Sequence, residues 1–130
     1  MKKRQTVARL LIGFGSLNML LGAGLHLAGG YPRVSAALAA SNLSALLANA
    51  MRAVFLMTGL MWITIAVVTL VAAFTQTRIR KAIVLLCGFS LLAEIPIWVG
   101  LMGWFIGNEM VLLSGTLITL GGFLLPKAKP

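Results

Sequence analysis

Four long apolar segments, at about residues 7–28, 50–74, 81–104 and 109–125, are set apart by charges, prolines and glycine pairs. Each approaches the roughly 20 apolar residues that a helix needs to cross about 30 Å of hydrocarbon. The pattern predicts an all-α integral membrane protein. Its four transmembrane helices should form an up-down bundle, one domain over residues 1–130 with no separate soluble part. The first segment is expected to stop at "GGYPRV", where a glycine pair favours a C-cap and Pro32 cannot continue the hydrogen-bond ladder. The third and fourth should form a hairpin turning at Gly107 and Asn108.

Between the first two spans lies "SAALAASNLSALLANA", rich in alanine and leucine and without charge. It is too polar for a span and too apolar for a free loop. A short interfacial or re-entrant helix at about 34–48 is expected there, capping the bundle and running on into the second span. Asn42, Asn49 and Arg52 recur at helical steps and would share a polar face.

Composition supports the membrane reading: 60% of the residues are hydrophobic, 10% are charged, and mean hydropathy is +1.02. A soluble domain carries about 25% charged residues. The formal charge of +9 changes the picture only in topology. Lys2, Lys3, Arg4 and Arg9 open the first span, Arg78, Arg80 and Lys81 separate the second and third, and Lys127 and Lys129 follow the fourth. That distribution puts both termini in the cytoplasm of, by expectation, a bacterial cytoplasmic membrane. These cations would meet anionic headgroups of membrane lipids, and they form no stripe of the kind nucleic acid requires. The basic, apolar start has the form of a secretory signal, but its apolar run continues to about residue 28 and is read as an uncleaved helix. The single cysteine, Cys87, excludes an intramolecular disulfide and reads as an inert buried thiol.

The only two acidic residues, Glu94 and Glu109, stand inside "LLAEIPIWVGLMGWFIGNEMVLL". With the predicted topology they share the outer layer with His26 and Arg52, one ionisable group from each span. Stripes at steps of three and four support inward faces: Gly15, Asn18, Gly22, His26 and Gly29; Arg52 and Gly59; Cys87, Ser90, Glu94 and Trp98; Glu109, Thr116 and Thr119. Pro96 frees the carbonyl of Leu92 and would kink the helix beside Glu94.

The leading expectation is a protein that binds a lipophilic small molecule in an outward-facing intramembrane pocket, with acid/base conversion such as isomerisation, cyclisation or ring opening. Glu94, Glu109, His26 and Arg52 would be the catalytic set. Asn18, Asn49, Ser90, Trp98, Trp104 and Tyr31 would contact the ligand, with Phe105 as a further apolar wall. A homo-oligomeric transporter or channel with Glu94 as coupling residue is the first alternative. The polar groups of the inner half, apart from Asn18, are hydroxyls such as Thr64, Thr69 and Ser114, which favours a pocket over a through pathway. A structural accessory subunit is the second, with Gly103 and Gly107 as a GxxxG contact. A purely structural account pairs Glu94 with Arg52 across two helices. No Walker, HExxH, GxSxG or CxxC motif occurs, no His or Glu ligands fall at i and i+3 or i+4, and neither metal nor cofactor is expected.

Overall fold

The computed structural model describes residues 2–126. In chain order it contains α1 (Lys2–Gly24), a π-helical turn (Leu25–Gly30), α2 (Tyr31–Ala39), α3 (Ala45–Phe74), α4 (Arg80–Met102) and α5 (Ile106–Leu124). No strand occurs among the described residues. Lys2–Ala39, Ala45–Phe74, Arg80–Met102 and Ile106–Leu124 are each long and apolar enough to cross a membrane. Lys127 and Lys129, which the sequence puts beyond the fourth span, lie outside the described residues.

The first helix does not stop at "GGYPRV". It widens instead: the amide of Tyr31 donates to the carbonyl of His26, five residues back, and α2 continues directly. Pro32 then falls in the first turn of α2, directly after the wide turn, which gives its ring more room than an α-helical turn would. Residues 34–48, expected as one capping helix, hold the end of α2, a non-helical link at 40–44 and the first turn of α3. Ser41 closes the link by donating to the carbonyl of Leu38 at 2.7 Å, and Ser44 caps α3 by accepting from the amide of Leu47 at 3.3 Å.

The turn between α4 and α5 comes earlier than expected. Gly103 has φ +75°, a left-handed conformation that ends α4. Gly107 and Asn108 therefore belong to α5, and Asn108 is buried, donating to the carbonyl of Gly103 at 2.9 Å. α4 runs through Pro96 without interruption.

The interior is small and partly polar, and the outside is large and apolar, the inverse of a soluble bundle. Phe14 and Leu101 are 64% and 75% exposed, whereas Ala8, Ala23, Ala66, Ser16, Thr69 and Ser114 are fully buried. The helices form a ring in which α1 touches α5 and α3, and α4 touches α5 and α3. Three glycines allow close approach of helix backbones: a Cβ on Gly121 would stand 2.9 Å from the carbonyl oxygen of Ala8, one on Gly88 2.9 Å from the amide nitrogen of Thr119, and one on Gly15 3.0 Å from the carbonyl oxygen of Ser114. Interhelical hydrogen bonds add to this packing. Thr69 donates to the carbonyl of Ile65 and so accepts from Ser16 at 2.7 Å, joining α1 to α3. Asn18 donates to the carbonyl of Met110 at 2.9 Å and to Ser114 at 2.8 Å, joining α1 to α5. The α3–α4 seam is the most sparsely packed of the four.

One end of the ring is basic, and four of its cations bond to the protein itself. Arg9 donates to the carbonyl of Ala73 at 3.1 Å and lies over the ring of Phe74. Lys81 and Arg4 both donate to the carbonyl of Phe123, at 3.0 and 3.4 Å. Arg80, only 2% exposed, donates to the carbonyls of Thr75 and Pro126 and to Oε1 of Gln76. The last carbonyls of α3 and α5 have no helical donor, so these cations satisfy them and oppose the negative end of each helix dipole.

Candidate functional site

Away from the basic end, three helices bring a polar and aromatic cluster together. The widened turn after α1 carries His26. Phe55, Gly59 and Trp62 follow at steps of four and three on one face of α3, and α4 contributes Glu94 and Trp98, one turn apart.

The His26 ring stacks on Phe55, with centroids 3.7 Å apart and planes within 8°, and lies 4.9 Å from the indole of Trp62. Its Nε2 is 2.9 Å from the carbonyl oxygen of Phe55, and since a carbonyl only accepts, Nε2 carries the proton. Gly59 makes room for Leu27, next to His26, whose side chain occupies the volume a Cβ would need. On its other side Trp62 donates from Nε1 to Oε2 of Glu94 at 3.2 Å. Trp98 brings a second indole beside the same carboxylate. Glu94 thus sits on the loosest seam, half-buried, between indoles.

Arg52 does not pair with Glu94. Its Nε donates to Ser35 Oγ at 3.2 Å, Nη2 to the Ser35 carbonyl at 3.4 Å and Nη1 to Asn49 Oδ1 at 2.8 Å, so it ties α3 to α2. The reason is register: Arg52 lies ten positions before Trp62, nearly three turns away along α3, so its side chain meets α2 instead. Glu109 also stands apart. It is exposed in the first turn of α5 and accepts from Trp104 Nε1 at 3.2 Å, a position the helix dipole favours. Both carboxylates of the chain are therefore bonded by indole N–H groups.

The remaining expected ligand residues divide similarly. Tyr31 borders the cluster, its ring 6.4 Å from that of Phe55. Asn18 is engaged with α5, Asn49 with Arg52 and Trp104 with Glu109. Ser90 is exposed and donates to its own helix, at the carbonyl of Leu86. Thr116 is exposed although Thr119 is buried, so the expected common face of Glu109, Thr116 and Thr119 does not form. Trp62 and Phe55 carry the cluster but were not among the expected site residues. Extending the Arg52–Gly59 stripe by one step would have reached Trp62.

Two surface grooves, of about 430 and 330 Å³, are lined by Ala53, Val54, Met57, Thr58 and Met61 and by residues from Val67 to Ile83. Neither includes a residue of the cluster. Compared with protein families, curated proteins and solved structures, the chain matches none.

Proposed function

We propose that this protein binds a lipophilic small molecule within the membrane, at the α3–α4 seam, with Glu94 as the central polar contact. The observation that carries the reading is a carboxylate on an apolar helix that meets indoles and, among the described residues, no cationic side chain. A charged group near the centre of a spanning helix costs on the order of 3 kcal/mol to insert, and packing alone gives no reason to keep it. The sparse α3–α4 seam supports entry from the surrounding lipid. Glu94 and His26 are the two groups of the cluster able to exchange a proton with a bound molecule, so acid/base conversion belongs to this reading. Arg52 and Glu109, engaged elsewhere, act at most on the rim.

In the same reading the four spans form an up-down bundle in a bacterial cytoplasmic membrane, with the basic end in the cytoplasm and the Glu94 seam in the outer half. The hairpin of α2 and the first turns of α3, tied by Arg52, closes the outer end. Membrane lipids surround the apolar faces.

Native mass spectrometry of protein extracted gently from its own membrane tests the proposal. Wild-type protein should retain a small apolar molecule that Glu94→Gln releases at unchanged folded yield. A preparation that carries nothing beyond common phospholipid, or a ligand equally retained by Glu94→Gln, would overturn it. An empty homo-oligomer would favour the transporter, and a stoichiometric partner chain the accessory subunit.

A further inference from the structure

The charges around Glu94 specify the ligand more closely. The other carboxylate, guanidinium and imidazole groups of that half are committed or remote: Arg52 bonds to Ser35 and Asn49, Glu109 to Trp104, and the His26 Nε2–H to the carbonyl of Phe55. Arg33 is exposed on α2. Trp62 stands between His26 and Glu94, in contact with both. Among the described residues no cationic side chain is thus positioned to neutralise the carboxylate, which meets two indoles.

Resting on the ligand site proposed above, we infer that the molecule bound at Glu94 is a lipophilic organic cation, an amine or onium centre carrying apolar substituents. Three requirements meet in that chemical class. The positive centre supplies the missing counter-charge to the carboxylate, which in a medium of low dielectric is worth far more than at a surface. Indole faces attract cations, tryptophan most strongly of the aromatic side chains, and Trp62 and Trp98 both flank Glu94. The apolar substituents match a sparsely packed seam within the membrane that carries two indoles. A neutral lipophile offers the ionised carboxylate no counter-charge, and an anion would be repelled by it.

Two probes of nearly equal shape and opposite charge test this: tetraphenylphosphonium and tetraphenylborate, with triphenylphosphine oxide as a neutral aryl-phosphorus comparison. Equilibrium dialysis against purified protein in a nonionic detergent, with Glu94→Gln at the same detergent concentration, subtracts partition into the micelle. Wild-type protein should show saturable binding of tetraphenylphosphonium that weakens at least about tenfold in Glu94→Gln and severalfold in Trp98→Leu. Glu94→Asp should retain saturable binding, and this variant with Trp98→Leu decides the matter if Glu94→Gln does not fold. Tetraphenylborate and the neutral oxide should show no saturable component. Absence of saturable cation binding, equal binding by wild type and Glu94→Gln, or equal affinity for the neutral oxide would overturn the inference. The mass-spectrometric experiment separates the two levels. A neutral lipophile released by Glu94→Gln leaves the ligand site standing and removes only its charge preference, whereas no lipophile and no cation binding remove both.

Discussion

The basic end of the bundle and the α3–α4 seam treat charge in opposite ways. At the basic end, Arg4, Arg9, Arg80 and Lys81 donate to carbonyls that the ends of α3 and α5 leave without helical partners. Each cation there completes the backbone of a helix other than its own or closes the α3–α4 turn, so charge contributes directly to the fold. At the seam, Glu94 completes no backbone group and, among the described residues, meets no cation. It lies against two indoles instead. Charge that the fold uses sits where packing is close, and charge that the fold does not use sits where packing is sparse.

Substitution of Arg80 should have the largest effect. Arg80→Met removes three charge-assisted hydrogen bonds and leaves the half-buried carbonyls of Thr75 and Pro126 without this donor. A loss of about 3 kcal/mol is expected from the hydrogen bonds to a charged group and the helix-dipole contact together. Reversible unfolding in mixed detergent measures it. A loss below about 1 kcal/mol would mean that the basic end is no better satisfied than a surface.

Glycine substitutions compare the tight and loose parts of the ring. Gly121→Ala drives a methyl against the backbone oxygen of Ala8, which cannot move aside, and should cost about 1–3 kcal/mol. Gly100→Ala, on α4, meets nothing within 4 Å and should be neutral or stabilise by about 0.5 kcal/mol through helix propensity. Equal costs at the two positions, measured by the same unfolding assay, would show that the α4 face is covered.

Much of this organisation is readable from residue spacing. The four spans follow from hydrophobic length, and the first stripe turns toward neighbouring helices from Gly15 to His26 but not at Gly29, which is exposed; small residues and interhelical hydrogen bonds are what hold helices together in lipid. Helix ends were less legible. Pro32 reads as a stop, yet one wide turn accommodates it, and a π turn has no sequence signature comparable to a glycine cap. The site was legible in part. Glu94 and His26 stand out as ionisable groups in apolar helices, but depth alone grouped Arg52 and Glu109 with them, and direction around the helix and the reach of each side chain separate the four. Trp62 is inconspicuous in a run of apolar residues, and only its partner on another helix gives it meaning. The burial of Arg80 was equally hidden, since in sequence it resembles any basic residue of a cytoplasmic turn.

The smallest expected effect is also the most exacting for the comparison. If Glu94 lacks a cationic partner, Glu94→Gln and Arg52→Gln act independently, and their double-mutant coupling energy should fall within about 0.5 kcal/mol of zero. The two single changes should differ in kind. Arg52→Gln loses the ties to Ser35 and Asn49 and should destabilise by about 1 kcal/mol. Glu94→Gln keeps an acceptor for Trp62 and removes an uncompensated charge, so stability should hold or rise. A coupling of 1 kcal/mol or more, with folded yield recovered only in the double mutant, would place the two side chains in one ion pair. Glu94 would then be as fully employed by the fold as Arg80, and the seam would have no claim to a ligand.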